Sequence, residues 1–316
     1  MSLPQRLGRL RQVERLGAGG FATVWRYHDE ELDSDVAVKA LADNWAQRLD
    51  VRERFLEEAR ILRRADADHV VRVHDSGETE SGTPYFVMTY ADRGTVADLL
   101  ARPERPDVAH CLDLVRQAGL GLAVLHGQGI LHRDVKPQNL LLRSRPDGGT
   151  ELLVADLGVA KATAHASGLT QVVGTPAYIA PEQARGGRLD ERADVHALGA
   201  VTYVLLTGRL VREDGLAGLV DPQLPPAPST VADVPAHLDA PVLRALAVDP
   251  DDRWPDVTSF TAALLAPPGS DVPARRQVDA QVDAGGATRR RVVLVLALVA
   301  LVLTFVASYA VTTLVR

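Results

Sequence analysis

The stretch His132-Arg133-Asp134-Val135-Lys136-Pro137-Gln138-Asn139 brings a carboxylate, an ammonium group and a side-chain amide together between two apolar runs. Taken alone, the pattern is typical of a turn, because Asp and Asn side chains hydrogen-bond to nearby backbone and tolerate unusual dihedral angles. The alternative is a site at which the polar side chains converge. The rest of the chain decides between these two interpretations.

The composition indicates an ordinary globular protein with room for a large core. The chain has 316 residues, of which 46% are hydrophobic and 24% charged, and this length allows two lobes. The net charge of -6 and the pI near 5.9 give no basic surface for nucleic acid. The single cysteine, Cys111, excludes an internal disulfide or a zinc cluster and is expected in the core.

Lysine is rare among the cations. Of 35 Lys and Arg residues, only Lys39, Lys136 and Lys161 are lysines. Because a compact ammonium and a planar guanidinium differ in chemistry, these positions are candidates for specific roles. The alternative is that the three lysines occur at these positions by chance, and their sequence neighbours decide between the two.

The N-terminal part predicts a sheet with a glycine-rich turn. Residues 1–9 form a short basic start without the apolar core of a signal peptide, so we expect no N-terminal export. Residues 13–16 and 23–27 read as strands joined by Gly17-Ala18-Gly19-Gly20-Phe21-Ala22. Such glycines permit backbone N–H groups to approach an anion such as phosphate, although a plain flexible turn is an equal alternative.

A third strand and a helix place one lysine and one acid where a buried pair would form. Residues 35–41 alternate so that Ala37 and Lys39 share a face. Residues 51–64 have a helical period, and Glu58 falls on the apolar stripe. A carboxylate there requires a partner when it is desolvated. Lys39 is the obvious candidate.

The middle of the chain predicts a strand, a helix and a hairpin. Residues 85–90 form the strand, in which Met88 is either core filler or the wall of a cleft, and residues 111–126 form the helix. Residues 140–142 and 151–155 form the hairpin, which delivers Asp156 at the end of an apolar strand. An acid there is placed for a metal, while a turn or a helix cap is the alternative.

Residues 159–180 form a long polar segment, and loops of that length inside compact domains are usually functional or disordered. The apolar run 195–206, closed by Gly208, predicts a buried helix with a glycine cap. Residues 222–235 are proline-rich and expected to be irregular. Residues 238–265 return to helix around a polar turn.

The C-terminal part changes in composition. Residues 266–291 form a linker that ends in three arginines, and residues 292–315 carry no charge. A helix of that length spans about 36 Å, enough for a hydrocarbon core of about 30 Å. The arginines favour a cytoplasmic N-terminal side, and with only Arg316 following we expect no outside domain.

Together these motifs resemble the protein kinase family over residues 10–265, and most closely the bacterial membrane-tethered (Hanks-type) serine/threonine kinases. The glycine loop, strand lysine, helix glutamate, His-Arg-Asp loop, Asp-Leu-Gly and Ala-Pro-Glu occur in the order of that family. The resemblance implies an α+β bilobal fold, with an N-lobe of an antiparallel sheet plus one helix over about residues 10–90. It also implies a mainly helical C-lobe over about residues 91–265.

The resemblance further implies a catalytic set and two cofactors, ATP and Mg²⁺, with Mn²⁺ as an alternative ion. Asp134 would accept the proton of the substrate hydroxyl, Lys136 would lie near the transferred phosphoryl, and Lys39 would hold the α/β-phosphates and pair with Glu58. Asn139 and Asp156 would bind the metal. The residues expected to contact ATP are Leu16, Gly17, Ala18, Gly19, Gly20, Phe21, Ala22, Thr23, Val24, Ala37, Lys39 and Met88.

Two structural roles and one regulatory role follow from the same resemblance. Asp194 would anchor the catalytic loop, and Glu182 with Arg253 would form an ion pair. Arg133 before the catalytic Asp is similar to kinases in which a phosphorylated activation loop pairs with that guanidinium. We expect autophosphorylation of Thr170, with Ser167 or Thr163 second.

Three departures from the family pattern are visible. Ala22 replaces the third loop glycine and Leu157 replaces the usual Phe after the metal Asp, and both are mild. After Thr207-Gly208 the expected Pro-Pro-Phe is Leu210-Val211-Arg212, and residues 215–235 are too short and proline-rich for a full docking helix. Substrate docking in that region is therefore in question.

The main hypothesis is a Ser/Thr kinase tethered to the cell membrane by a single pass, with its kinase domain in the cytoplasm. Its partners would be ATP, cytoplasmic protein substrates and a second copy for trans-autophosphorylation, and no nucleic acid. The alternative from another class is a pseudokinase scaffold at the membrane. Intact Lys39, Asp134, Asn139 and Asp156 favour the enzyme.

Overall fold

The structure is a computed structural model, and it describes residues 3–46, 48–158, 176–212 and 217–269. These residues belong to one compact unit, residues 1–272. A second unit, residues 273–316, lies outside the described residues. The predicted membrane helix and most of the predicted linker fall there and stay predictions.

The N-terminal lobe is built on a six-stranded antiparallel sheet. Its strands, in chain order, are Arg6–Leu7 (β1), Leu10–Ala18 (β2), Ala22–Asp29 (β3), Ser34–Leu41 (β4), Val73–Glu78 (β5) and Pro84–Thr89 (β6). Their order across the sheet is β1-β2-β3-β4-β6-β5. A two-stranded antiparallel hairpin, Leu140–Ser144 (β7) and Thr150–Val154 (β8), lies in the C-terminal lobe.

The described helices are mostly in the C-terminal lobe. They are Asp43–Ala46 (α1), Leu49–Arg64 (α2), Val96–Leu100 (α3), Val108–Gly127 (α4), Pro181–Ala184 (α5), Glu191–Thr207 (α6), Ala217–Val220 (α7), Pro228–Val231 (α8), Asp239–Ala245 (α9) and Val257–Leu265 (α10). Single turns of 3₁₀ helix cover Pro137–Asn139, Pro176–Tyr178, Ala236–Leu238 and Pro250–Asp252.

The alternation of β4 divides the apolar residues of the sheet between two clusters. Val38 packs on one face with Leu10, Tyr27 and Val87. Ala37, one residue earlier, faces the main core. Because successive strand side chains point to opposite faces, both β4 residues are buried and the sheet is covered on each side.

Helix α2 lies in the N-terminal lobe and contributes Phe55 and Leu62 to the main core, as the helical period predicts. Glu58 is buried on the same helix, at 2% exposure. Arg60 and Arg64 are exposed and pair with Glu57. The apolar and polar faces of this helix therefore lie where the sequence predicts.

Helices α4 and α6 form the centre of the C-terminal lobe. Leu114 and Leu122 of α4, and Leu198 of α6, are completely buried, and Cys111 is buried as predicted. Helix α6 ends at Gly208, whose φ of 68° is the left-handed conformation of a glycine cap. Among the described residues, α4 is the one helix long and apolar enough to cross a membrane, yet half of that stretch is buried inside the protein.

The structure corrects several boundaries. A strand, β1, precedes the predicted start at Leu10, and Leu3 packs in the second cluster. Strand β5 was not predicted, because its sequence is mostly polar and lies at the edge of the sheet. The N-terminal lobe has a second, short helix, α1. The predicted irregular segment 222–235 contains the helical turn α8, which begins at Pro228.

Candidate active site

The loop 132–139 is fixed from its first residue. His132 is fully buried, and its Nε2 lies 3.0 Å from the carbonyl oxygen of Ala155. A carbonyl only accepts, so Nε2 carries the proton and Nδ1 accepts from the Asp134 N–H at 3.3 Å. The backbone N–H of Gly158 donates to the His132 carbonyl at 2.9 Å. A neutral imidazole thus joins the loop to the strand that leads to Asp156.

Asp194 anchors the same loop from helix α6. Its Oδ2 accepts from the backbone N–H of His132 and from Nε2 of His126, both at 2.8 Å. Its Oδ1 accepts from the backbone N–H of Arg133 at 2.9 Å. Burial alone raises the pKa of Asp194, but the hydrogen bonds from His126 and from the backbone N–H of His132 outweigh it and lower that pKa. The predicted anchoring contact is present.

Asp134 lies between the other two polar side chains of the loop. Nζ of Lys136 is 3.0 Å from Oδ2 of Asp134. Nδ2 of Asn139 donates to the same Oδ2 and to the Asp134 carbonyl, both at 2.8 Å. The side chains of Asp134 and Lys136 are 14% and 16% exposed. The three side chains therefore converge, as the alternative to a simple turn expects.

A buried cation joins the two lobes. Nζ of Lys39 on β4 donates to Oε1 of Glu58 on α2 at 2.7 Å and to Oδ1 of Asp156 at 2.8 Å. Burial disfavours the charged amine, but the charges of Asp156 and Glu58 outweigh it and raise the pKa of Lys39 above its usual value. The predicted Lys39–Glu58 pair is therefore present, and Asp156 is a second carboxylate partner of Lys39.

Two residues of the site hold unusual backbone conformations. Arg133 has a φ of 63° and Asp156 a φ of 57°, in the left-handed region that non-glycine residues seldom occupy. Such conformations persist where surrounding contacts impose them, and they are frequent at functional sites. Asn139 and Asp156 are also adjacent, because the Asn139 amide donates to the Asp156 carbonyl at 3.4 Å.

The glycine-rich turn joins β2 and β3 beside Lys39. Val24 on β3 is paired with Lys39 on β4, and Ala37 on β4 is paired with Met88 on β6. Ala37 and Met88 are both 4% exposed and belong to the main core, whereas Leu16 is 44% exposed. Met88 is therefore part of the core, and its contact with a nucleotide stays a prediction.

The turn is held at Phe21, whose carbonyl accepts from the Ala42 N–H at 2.9 Å and whose ring centroid lies 4.8 Å from that of Trp45, but it is open beside two of its glycines. The Gly19 N–H donates to the Ala22 carbonyl at 2.8 Å. A Cβ added at Gly17 or Gly20 would meet no atom within 4 Å. Open space beside the backbone is what the approach of a phosphate requires. The remaining predicted members of the turn, Ala18, Phe21 and Thr23, lie in the same β2–β3 connection.

The donor set fits a nucleotide with a hard divalent cation. Asn139 and Asp156 supply only oxygen donors, the side chain of Asp156 is 41% exposed, and the Asn139 amide nitrogen is already engaged by oxygens. Mg²⁺ is usually bound by one or two protein carboxylates together with substrate phosphates. The described residues contain no cluster of three or more His, Cys, Asp or Glu that would bind a metal by itself.

Some residues at the site were not found from the sequence. His126, which binds Asp194, lies on α4 and carries no local signal for that contact. Gln183 on α5 donates from Nε2 to the Arg133 carbonyl at 2.8 Å. Trp45 donates from Nε1 to the Gly20 carbonyl at 2.7 Å. Each contact joins segments distant in sequence, so local patterns gave no indication of it.

The predicted ion pair in the C-terminal lobe is also present. Arg253 binds both carboxylate oxygens of Glu182 at 2.7 Å. The predicted phosphosites Thr163, Ser167 and Thr170 lie outside the described residues.

The chain was compared with known proteins. A protein kinase domain model matches residues 10–217. The serine/threonine-protein kinase Pkn1 of Myxococcus xanthus is 38% identical over 269 residues, which cover 82% of this chain and 38% of Pkn1. The serine/threonine-protein kinase PknL of Mycobacterium tuberculosis is 36% identical over 276 residues, which cover 83% of this chain and 68% of PknL.

The fold is also similar to that of a solved kinase domain. The crystal structure of the Mycobacterium tuberculosis PknI kinase domain matches with a TM-score of 0.65 and 28% identity, covering 83% of this chain and 98% of that domain. The chain spans less than half the length of several curated relatives, among them Pkn1 and two PknB kinases.

Proposed function

The chain belongs to the protein kinase family, and from that premise we propose that it transfers the γ-phosphoryl group of ATP to serine or threonine hydroxyls of proteins. The family implies ATP and a divalent metal as cofactors, and we assign Mg²⁺, with Mn²⁺ as the alternative. The Lys two residues after Asp134 favours a Ser/Thr substrate over a tyrosine, by resemblance to Ser/Thr-specific kinases.

One observation carries this proposal. The Asp134 carboxylate is held between Lys136 and Asn139, within a loop whose backbone N–H groups are bound by the buried Asp194. A general base must be held at a fixed position within reach of the proton that it accepts. A loop with this many internal contacts provides that position before any substrate binds.

The chain's residues divide the work of binding and catalysis. When bound, MgATP supplies the phosphoryl group and the cation neutralises part of its charge. Asn139 and Asp156 would hold the metal through oxygen, and Lys39, kept charged and oriented by Glu58, would hold the phosphates. The backbone of the glycine-rich turn would cover them, and Leu16, Val24, Ala37 and Met88 would contact the base.

At the acceptor side, Asp134 would orient the incoming hydroxyl and take its proton as the new O–P bond forms and the bond to the β-phosphate oxygen breaks, which releases ADP. Lys136, whose ammonium lies 3.0 Å from that carboxylate, places a positive charge beside the transferred group. Phosphoryl transfer depends on positioning and charge neutralisation more than on covalent chemistry by the protein. Two cations, one base and two metal ligands meet that requirement.

Activation-loop autophosphorylation is part of the proposal. Arg133 has its backbone fixed by Asp194 and Gln183, so its exposed side chain extends from a fixed point of the catalytic loop. A phosphate on Thr170, Ser167 or Thr163 would pair with its guanidinium. Phosphosite mapping after incubation with ATP tests this, and a segment that stays unmodified in an active preparation contradicts it.

The location of the protein is a separate proposal. The uncharged residues 292–315 would cross the cell membrane once, with the kinase domain of residues 10–265 on the cytoplasmic side and residues 266–291 as the linker. Membrane tethering would also favour a homodimer for trans-autophosphorylation, with cytoplasmic proteins as substrates. Fractionation of the full chain before and after deletion of residues 292–315 tests the anchor.

The test of the activity compares wild type with Asp134→Asn in an assay with labelled ATP and a histone as a generic basic substrate. We expect Asp134→Asn to lose about 10²- to 10⁴-fold in kcat, the usual contribution of a general base. Asp147→Asn makes the same change on an exposed side chain of the β7–β8 turn and should be unaffected. Equal incorporation by wild type and Asp134→Asn would favour a pseudokinase scaffold.

A further inference from the structure

Arg212 is a buried cation at the position where the family pattern expects the phenylalanine of Pro-Pro-Phe. It is 8% exposed. Its Nη1 donates to the carbonyl oxygens of Pro176 at 3.2 Å and Ile179 at 3.0 Å. Its Nη2 lies 3.0 Å from Nε2 of His196 on helix α6. A phenylalanine could make none of these hydrogen bonds.

The guanidinium is held by neutral acceptors. Across the described residues, no Asp or Glu forms an ion pair with Arg212, and the nearby Glu182 is bound by Arg253. Burial and the charge of Arg253 lower the pKa of Arg212. A buried charge is costly unless hydrogen bonds replace its hydration. The two backbone carbonyls and the imidazole provide that compensation at Nη1 and Nη2, while Nε of Arg212 has no hydrogen-bond partner among the described residues.

His196 completes the arrangement as a neutral acceptor. An arginine only donates, so Nε2 of His196 must present its lone pair to Arg212. Burial, together with the charges of Arg253 and Arg212, lowers the pKa of this fully buried imidazole well below its usual value. The histidine is thus kept in the form that accepts, and helix α6 provides a rigid support beneath Arg212.

The carbonyls that Arg212 binds belong to the segment 176–183, which is also attached to the catalytic loop. Ala177 and Tyr178 are buried, and Gln183 binds the Arg133 carbonyl at 2.8 Å. A Cβ at Gly218 of α7 would lie 3.3 to 3.5 Å from the aliphatic stem of Arg212. Arg212 therefore binds this segment at Pro176 and Ile179. Gln183 joins the same segment to the loop that carries Asp134.

We propose that Arg212 is a positioning residue for the protein substrate. By holding the carbonyls of Pro176 and Ile179 against helix α6, it keeps the segment beside the catalytic loop in the shape on which the polypeptide around the acceptor hydroxyl binds. The residues proposed to contact the nucleotide on the N-terminal lobe do not include this segment. This role rests on the proposed kinase function. The hydrogen bonds of Arg212 replace the packing contacts that a phenylalanine would make at this position.

The test measures steady-state kinetics of Arg212→Met, which keeps an aliphatic stem but removes the donors. We expect the KM for the histone substrate to rise about tenfold, with kcat and the KM for ATP within about twofold of wild type, since a loss confined to substrate binding raises KM alone. Arg212→Lys, which retains a charge and donors, should recover part of the loss. Arg209→Met, an exposed arginine three residues earlier, is the matched control.

Hydrogen exchange gives a readout that does not depend on turnover. We expect faster exchange of the backbone amides of residues 176–187 in Arg212→Met, but not in Arg209→Met, because lost anchoring opens that segment locally. An unchanged histone KM with unchanged exchange would overturn the proposal. Failure of both Arg212 variants to fold or bind ATP would assign the residue to stability alone and would also overturn it. Wild-type activity no higher than that of Asp134→Asn would instead reject the kinase function.

Discussion

The glycine-rich turn, residues 17–24, and the catalytic loop, residues 132–139, lie on either side of the Lys39–Asp156 contact but are held very differently. Around the turn, Cβ atoms added at Gly17 and Gly20 would meet empty space. At the catalytic loop, a Cβ added at Gly158 would lie 3.1 Å from the His132 carbonyl oxygen and 3.3 Å from the Asp134 Cβ. The turn contains its glycines and the loop is approached closely by Gly158, so the physical reasons for glycine differ between the two regions.

The difference shows which part of the site is preorganised. The catalytic loop is held by a buried carboxylate, by a buried imidazole and by the close approach of Gly158. The turn is held at Gly20 and Phe21 by Trp45 and Ala42, but the space beside Gly17 and Gly20 is open to a ligand. Substitutions in the catalytic loop should therefore change folding stability together with activity, whereas substitutions at these two glycines should mainly change nucleotide binding.

The largest effect should follow Asp194→Ala. This substitution leaves the backbone N–H groups of His132 and Arg133, and Nε2 of His126, without their buried acceptor. Removing one partner of a buried charged network costs about 3 to 5 kcal/mol. We expect a loss of that size in the free energy of unfolding, measured by urea denaturation, and a collapse of kinase activity.

Asp190→Ala on the same helix is the control for that experiment. Asp190 caps the N-terminus of α6 by accepting from the Arg192 N–H, and its side chain is 52% exposed. Loss of such a cap costs about 1 kcal/mol. Similar losses of stability in the two variants would show that Asp194 acts as an ordinary helix residue and not as the anchor of the loop.

A smaller loss is expected from Gly158→Ala. The added methyl group would press on the His132 carbonyl, which also accepts from the Gly158 N–H. Overpacking of this kind costs about 1 to 3 kcal/mol. Thermal unfolding should show the loss, and kcat should fall because the methyl group displaces the backbone that carries Asp134. A variant with wild-type stability and kcat would contradict the close packing.

A smaller effect is expected when wild type and Asp194→Asn are compared for the extent to which acid lowers the free energy of unfolding. Because the folded-state pKa of Asp194 is lowered, the unfolded chain binds more protons and stability rises with pH in that range. The contribution is complete above the unfolded pKa of about 4 and is lost as the pH falls below it. Urea denaturation at several pH values should therefore give a shallower decline for Asp194→Asn.

Asp147→Asn provides the reference slope for the pH series, because its exposed carboxylate lies far from α6 in the chain and on another element. Its decline with acid should match wild type. The free energy of unfolding of Asp194→Asn could instead decline with acid as steeply as that of wild type and Asp147→Asn. In that case the negative charge of Asp194 would not contribute to the stability of the loop.

Much of this site could be predicted from the sequence. The period of α2 placed Glu58 on a buried face, and the alternation of β4 placed Lys39 on the face of Ala37, because both patterns are local. The order of the motifs along the chain then assigned Asp134, Asn139 and Asp156 to one catalytic set through the resemblance to protein kinases. Those features share one property: the relevant spacing lies within a single element or a single motif.

The remainder depends on contacts between distant segments. Arg212 reads as a surface cation until the carbonyls of Pro176 and Ile179 are brought to it. Strand β5 is polar in sequence and is ordered by pairing with β6. His126 carries no local sign that it binds Asp194. Tertiary structure supplies these partners, so neither periodicity nor local propensity could identify them.

The smallest effect on stability should come from Gly20→Ala in the turn. The Cβ has room, and the backbone at Gly20 does not occupy the left-handed region. Replacing such a glycine restricts the unfolded chain, so stability should stay within about 1 kcal/mol of wild type and rise if it changes. The KM for ATP should nevertheless increase about tenfold, since the methyl group would occupy space that a phosphate needs beside the backbone.

Gly8→Ala distinguishes the role of Gly20 from a general effect of glycine. Gly8 lies between β1 and β2, where a Cβ also meets no atom within 4 Å, but its φ is 60°. Alanine there is strained by about 1 kcal/mol or more, so stability should fall while the KM for ATP stays unchanged. The two variants should therefore give opposite results in thermal unfolding and in ATP kinetics. An unchanged KM in Gly20→Ala would mean that open space beside the turn is not used by the nucleotide.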